Sequence, residues 1–169
     1  MLVVALWSAP DVWRGLAWGA LAASLVSILP FLFVVRGVRR NQFTDHHVGE
    51  RRQRTLPLLV ALGSASTGLG LLAVGGAPRA LLVVVATMIS GLMIAIPLTL
   101  VWKVSLHTLT LTAAVVLLGS VSGLAAACLS VLVVLVGWSR VELRAHSPAQ
   151  VVAGAALGAG VAAAVCLAF

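Results

Sequence analysis

Charged side chains are scarce in this chain, and acidic ones are the scarcest. Asp, Glu, Lys and Arg make up 9% of the 169 residues, and only 4 residues are acidic, whereas soluble domains carry about 25% charged residues. Hydrophobic residues make up 62%, and the mean hydropathy is +1.16. A soluble chain of this length cannot bury so much apolar surface. The sequence therefore predicts an all-α integral membrane protein.

Disulfides, linkers and convincing metal-binding patterns are also lacking. The two cysteines, Cys128 and Cys166, lie in apolar runs, where we expect small core side chains rather than a disulfide. No linker, low-complexity segment or internal repeat interrupts the chain, which predicts a single domain over residues 1–169. His46 and His47 are adjacent, but no pattern of acidic and cysteine ligands accompanies them. We therefore expect no metal and no other cofactor.

Long apolar runs divide the chain into predicted membrane spans. Residues 105–138 are too many for one normal span, and turn-forming residues between Gly119 and Gly123 divide them into two short helices. In the last run, Gly154 and Gly158 form a small-xxx-small face suited to close helix packing. We predict a six-helix transmembrane bundle with spans at 15–35, 56–76, 80–101, 105–120, 123–138 and 148–169.

With six spans, the polar segments fall on one side of the membrane. These segments are 36–55, 102–104 and 139–147, and with the adjoining span ends they hold nine of the 11 cations and all 4 histidines. Only Arg14 and Arg79 lie on the other side. Because Lys and Arg accumulate on the cytoplasmic side of membrane proteins, we expect a multi-pass protein of the cell membrane whose polar loops face the cytoplasm. The net charge of +7 suits anionic headgroups or phosphate esters better than nucleic acid.

Three motifs in these segments carry candidate chemistry. The third reads Ser139-Arg140, five residues, His146, three residues, Gln150; the second is the run Val104-Ser105-Leu106-His107. In the first, His47 is followed after six residues by Arg54. In order and spacing these motifs resemble the three signatures of the type 2 phosphatidic acid phosphatase superfamily. They depart from that pattern where His47 stands for Lys, where Pro and Gly are missing around Ser105, and where Gln150 stands for Asp.

The resemblance implies the six-helix fold of these phosphatases and of the haloperoxidase-like proteins, and phosphoryl transfer without a metal. It implies that His146 attacks phosphorus, that His107 protonates the leaving oxygen, and that Gln150 orients His146. The phosphate-binding positions that it implies are Arg54, Arg140, Ser105 and His47. Lys103, a cation just before the span that carries His107, is a further phosphate-binding candidate, and the possible additional residues are Arg51, Asp45 and Arg144. Gln150 can accept the ring N–H but brings no negative charge. Glu142 or Asp45 are the candidates to supply that charge.

Structural interpretations of the same residues stay open. Ser139, Arg140 and Arg144 also fit an interfacial anchor, and His107 fits a helix-end residue bonded to a carbonyl. Gln150 also fits helix packing. The segment with Arg36, Arg39 and Arg40 is typical of headgroup binding after a span.

The implied substrate is a lipid phosphate whose tail lies in the membrane. The candidates are a polyprenyl phosphate or diphosphate, a lipid-linked sugar phosphate, and a phosphatidate-like lipid. Two other classes remain: a non-hydrolytic relative, such as a lipid phosphotransferase or a prenyl-diphosphate cyclase, and a non-catalytic membrane subunit. Membrane lipids are the expected partners, and the sequence leaves the oligomeric state open.

Overall fold

The computed structural model describes residues 1–43, 51–120 and 123–168, with side chains at all of these positions except 51–52 and 123–127. Within these ranges every regular element is helical and no strand occurs. The helices are α1 Leu2–Ser8, α2 Val12–Ala23, a π-helical turn Ser24–Ile28, α3 Leu29–Arg39, α4 Arg51–Val74, α5 Arg79–Val101, α6 Leu106–Gly119, α7 Gly123–Glu142 and α8 Pro148–Ala168.

Four of the described helical stretches are long and apolar enough to cross a membrane: Val12–Arg39, Gln53–Val74, Arg79–Val101 and Pro148–Ala168. Leu106–Gly119 is apolar but shorter. The all-α membrane prediction therefore agrees with the structure. Helices also occupy all six predicted ranges, with ends that shift by a few residues. For example, α2 begins at Val12 rather than at the predicted residue 15, because the Asp11 side chain caps it by accepting a hydrogen bond from the Arg14 N–H at 2.8 Å.

The chain forms two compact units, Met1–Leu92 and Met93–Phe169. The core of the first unit is built from small and aliphatic side chains of α1, α2, α4 and α5, among them Ala5, Ala22, Ala65, Leu72 and Leu81. The short helix α1, which the sequence did not predict, packs on α2. Its Ala5 is fully buried in this core.

The π-helical turn of the first unit has a cause in the sequence. Leu29 donates its N–H to the Ser24 carbonyl, five residues back. The equivalent donor for the Leu25 carbonyl would be Pro30, which has no N–H. The Ser64 hydroxyl of α4 donates to that carbonyl instead. A neighbouring helix thus satisfies the backbone group that proline leaves open, as an apolar surrounding requires.

In the second unit, α6 packs against α8 at backbone contact. A Cβ added at Gly158 would overlap the Leu109 carbonyl oxygen, and one added at Gly154 would overlap that of Ser105. This confirms the predicted small-xxx-small face. The Thr108 hydroxyl lies 3.1 Å from the carbonyl oxygens of both Ser105 and Val151, so it can also link the two helices.

Candidate functional site

The third motif begins at the C-terminal end of α7. Arg144 adopts the left-handed conformation with a φ of 51°, and the N–H groups of Ala145 and His146 both donate to the Arg140 carbonyl, at 3.0 and 3.2 Å. Such a reversal normally uses glycine, because a Cβ is crowded in this conformation. The reversal carries the chain from Arg140 to His146 and directly into α8.

The start of α8 is a capping box. The Ser147 hydroxyl accepts the Gln150 N–H at 3.3 Å, and the Gln150 side-chain oxygen accepts the Ser147 N–H at 3.2 Å. Pro148 occupies the first helical position, where its missing N–H costs nothing. The signal for this cap, Ser-x-x-Gln before an apolar run, is present in the sequence, although the cap was not predicted. Gln150 therefore has a structural role besides any role toward His146.

Gln150 also contacts the His146 ring. His146 is buried, with 7% of its surface exposed, and its Nδ1 lies 3.2 Å from Gln150 Oε1. The Ser147 N–H can only donate, so the Gln150 atom that it meets is the oxygen. The Nδ1 facing the same oxygen must then carry the proton. This leaves Nε2 unprotonated in the neutral ring, as a nucleophilic imidazole requires.

The second motif lies beside the third through the backbone. The Ser105 N–H donates to the Gln150 carbonyl at 3.2 Å, although the two residues are far apart in sequence. Ser105 is fully buried and caps α6, since its hydroxyl accepts the Thr108 N–H at 3.4 Å. Its hydroxyl proton remains able to donate. The N-terminal ends of α6 and α8 therefore meet at the position of Ser105, Gln150 and His146.

The candidate cations of this unit differ in exposure. Arg140 is half-buried, and its Nε atom is buried with no hydrogen-bond partner within the described part of the chain. A buried, unsatisfied guanidinium nitrogen calls for an acceptor. Lys103 is half-buried between α5 and α6, whereas Arg144 is exposed. Glu142, a candidate for charge compensation, is exposed at the last residue of α7.

The other predicted residues belong to α6, to the first unit, or to the part of the chain outside the described residues. His107 is on the first turn of α6, in the same unit as His146, and its side chain is exposed. Arg54 is half-buried on α4 in the first unit. His47 and Asp45 lie outside the described residues, as does the side chain of Arg51. The first motif thus stays a prediction from the sequence.

No cluster of three or more His, Cys, Asp or Glu side chains able to hold a metal occurs over residues 1–43, 51–120 and 123–168. His46 and His47 fall outside these ranges. The second and third motifs contribute the Ser105 hydroxyl, the Arg140 guanidinium and the Gln150 amide to the second unit, together with the N-terminal ends of α6 and α8. Donors of these kinds suit an oxyanion such as phosphate.

Comparison with known proteins gives no match to a protein family model, a curated protein or a solved structure.

Proposed function

We propose that this chain is a membrane-embedded lipid phosphatase that works through a phosphohistidine on His146. The observation that carries the proposal is the hydrogen bond from Nδ1 of the buried His146 to Gln150 Oε1. It prepares the opposite ring nitrogen for attack. The proposed fold is the six-helix bundle of the phosphatidic acid phosphatase and haloperoxidase-like type, in which α6 and α7 complete the set of spans.

In the proposed reaction, Nε2 of His146 attacks phosphorus, and the bond to the lipid oxygen breaks. His107 gives a proton to that leaving oxygen, and water then attacks the phosphohistidine to release phosphate. The exposed position of His107 suits exchange of this proton with solvent. Gln150 holds the ring in its attacking tautomer, as a hydrogen-bonding partner does for other catalytic histidines.

Binding of the phosphate is assigned to the cations and hydrogen-bond donors of the three motifs. The buried, unsatisfied Nε of Arg140 supports a role in meeting a phosphate oxygen, because a guanidinium offers a planar fork of donors. Ser105 can donate its hydroxyl proton, and Lys103 adds positive charge from the segment before α6. Arg54 and His47 complete the proposed phosphate contacts on the strength of the sequence resemblance. Arg51 and Arg144 stay additional candidates, and Asp45 is a candidate for the negative charge that Gln150 lacks.

The neutral side chain of Gln150 favours one alternative. It orients His146 but does not stabilise an imidazolium by charge, and exposed Glu142 is not buried with the ring. A protein that binds a lipid phosphate without turnover would keep this geometry. Phosphate release separates the two functions, since only the phosphatase yields inorganic phosphate from a bound lipid.

The experiment is a phosphate-release screen of purified protein over polyprenyl phosphates and diphosphates, phosphatidate and a lipid-linked sugar phosphate, in EDTA. We expect release that persists in EDTA and is inhibited by vanadate, which mimics pentacoordinate phosphorus. His146→Ala and His107→Ala should each lose most activity while keeping the wild-type helical circular dichroism. Strict Mg²⁺ dependence with both variants active would contradict the proposal.

We further propose that the polar loops face the cytoplasm. Of the nine cations on that side, three are assigned to phosphate, which leaves six against two on the opposite side. In a background without Cys128 and Cys166, Asn41→Cys should resist a membrane-impermeant thiol reagent in intact cells, and Ala80→Cys should react. Both positions are exposed, so the reversed labelling would overturn the orientation but not the chemistry.

A further inference from the structure

A hydroxyl is buried at the contact between α6 and α8. Thr108 has no exposed surface, and its Oγ1 lies 3.1 Å from the carbonyl oxygens of Ser105, which caps α6, and of Val151 in α8. A Cβ added at Gly154 of α8 would overlap this same hydroxyl oxygen. Valine has nearly the shape of threonine and would fill the space without burying a polar group, which costs free energy unless it is hydrogen-bonded. The threonine therefore points to a hydrogen bond that this contact uses.

Two hydrogen bonds connect the start of α6 with the first turn of α8. The Ser105 N–H donates to the Gln150 carbonyl at 3.2 Å, and the Thr108 hydroxyl can donate to the carbonyl of Val151, the next residue. The two donors lie three residues apart, which is close to one helical turn. Two bonds placed in this way oppose both sliding and rotation of α6 on α8, whereas one bond would leave rotation about it free. We call this pair of hydrogen bonds the α6–α8 link.

The link joins the two stretches of chain that hold the histidines of the proposed reaction. His107 lies between Ser105 and Thr108, which are the two donors. His146 lies just before α8, and its Nδ1 is 3.2 Å from the Oε1 of Gln150, whose carbonyl is an acceptor of the link. A change in how α6 lies on α8 must therefore move the backbone of His107 relative to that of His146.

We propose that Thr108 is a positioning residue, whose hydroxyl holds α6 on α8 so that His107 reaches the leaving oxygen while His146 reaches phosphorus. This role rests on the proposed function, because it concerns one step of that reaction. In this step the bond between Nε2 and phosphorus forms, the bond from phosphorus to the lipid oxygen breaks, and the proton of His107 passes to that oxygen. Positioning matters because a displacement of about 1 Å can cost about 100-fold in rate.

Thr110 provides a matched control on the same helix. Its side chain is exposed, and its hydroxyl lies 2.9 Å from the Leu106 carbonyl oxygen, within α6. Thr110→Val therefore removes a hydroxyl and a hydrogen bond of α6 but leaves the α6–α8 link. Thr108→Val removes the hydroxyl of the link at nearly constant shape, and Thr108→Ser keeps it. If the Thr108 proton served only the Ser105 carbonyl, Thr108→Val would behave like Thr110→Val.

Amide hydrogen exchange reports on the link without any turnover. Because Ser105 precedes the first turn of α6, its N–H has no acceptor within that helix, and its bond to the Gln150 carbonyl protects it from exchange. In protein labelled with ¹⁵N at serine, this N–H should exchange at least about threefold faster in Thr108→Val, the effect of losing one hydrogen bond. Its exchange should be unchanged in Thr108→Ser and Thr110→Val. Wild-type circular dichroism of each variant shows that it is folded.

The dependence of the rate on the leaving group separates positioning of His107 from a general loss of structure. A polyprenyl alcohol needs a proton in order to leave, whereas a nitrophenolate is stable as an anion and needs none. Single-turnover release is measured from a polyprenyl phosphate and from a nitrophenyl phosphate that carries an alkyl chain. Thr108→Val should slow release from the polyprenyl phosphate about tenfold or more, and from the nitrophenyl phosphate less than about twofold. Thr108→Ser and Thr110→Val should stay within about twofold of the wild type for both.

Three results would overturn the proposal: unchanged Ser105 exchange in Thr108→Val, equal slowing of both substrates, or the same effects in Thr110→Val. If Thr108→Val does not fold, Thr108→Cys takes its place, because a thiol is a weaker donor of similar size and should give the same pattern. A failure of the proposed phosphatase gives a different result. The wild type would then release phosphate from neither substrate, while Thr108→Val would still accelerate the exchange of Ser105.

Discussion

Gln150 makes two different contacts, and variants can separate them. It accepts the Ser147 N–H in the capping box, and it accepts Nδ1–H of His146. Gln150→Ala removes both contacts. Gln150→Glu keeps the length and the acceptor of the side chain and adds a charge. Ser147→Ala removes the hydroxyl half of the capping box but leaves the contact between Gln150 and His146.

The expected losses of rate and of stability follow from the kind of hydrogen bond that each variant removes. A hydrogen bond to a charged group contributes about 1.5–3 kcal/mol, and in the proposed reaction His146 becomes charged as it takes up phosphate. At about 1.4 kcal/mol per factor of ten, Gln150→Ala should lower the single-turnover rate by about 10- to 150-fold. Loss of the cap in Ser147→Ala should instead cost about 1 kcal/mol of stability and little rate.

Gln150→Glu should match or exceed the wild-type rate. At the observed 3.2 Å separation, a carboxylate attracts an imidazolium by about 5 kcal/mol at an effective dielectric constant of 20. Desolvation of the carboxylate offsets part of this gain. Single-turnover release from a labelled polyprenyl phosphate, with thermal unfolding of each variant, gives both readouts. Equal and small rate losses in Gln150→Ala and Ser147→Ala would refute the reasoning and leave Gln150 as a helix cap only.

Three further predictions concern the packing of each unit and the backbone at Arg144. Gly158→Leu should destabilise the protein by about 3 kcal/mol or more because the added side chain meets the Leu109 carbonyl, whereas Gly160→Leu should leave stability unchanged. Equal unfolding midpoints of the two variants in denaturant would contradict this packing. Ser64→Ala should cost about 1–2 kcal/mol by leaving the carbonyl of the π-helical turn unsatisfied, and an unchanged midpoint would show that this carbonyl finds another donor. Arg144→Gly should raise stability by about 1 kcal/mol through relief of the left-handed backbone while it raises KM for a lipid phosphate, and unchanged kinetics would remove Arg144 from the site.

The sequence was sufficient for the long apolar helices but not for the short helix α1 or for local details of the backbone. Long apolar runs located the membrane helices, and the glycines at 119 and 123 correctly marked the break between α6 and α7. The π-helical turn could not be predicted, because it combines Pro30 with a hydroxyl from α4, a contact that only the tertiary structure provides. The left-handed backbone conformation of Arg144 could not be predicted either, because the position holds arginine instead of the glycine that usually marks such a conformation.

Contacts of the candidate site were predictable only between residues that are close in sequence. Spacing alone allowed the contact between His146 and Gln150, because residues four apart meet at the start of a helix. The proximity of Ser105 to Gln150 followed only from the assumed order of spans, and the structure has a backbone hydrogen bond there. The positions of Arg54 and His107 relative to His146 depend on how distant helices pack, which the pattern of residues along the chain does not encode.

The central claim is a covalent phosphohistidine on His146, and trapping that intermediate tests it most directly. Purified protein is mixed with a polyprenyl phosphate labelled in its phosphate, quenched within the first turnover, and digested for mass spectrometry. We expect a label on His146 that is stable to alkali and labile to acid, and that is absent in His146→Ala. Phosphate release in the wild-type protein with no label on His146, or with undiminished turnover in His146→Ala, would contradict it.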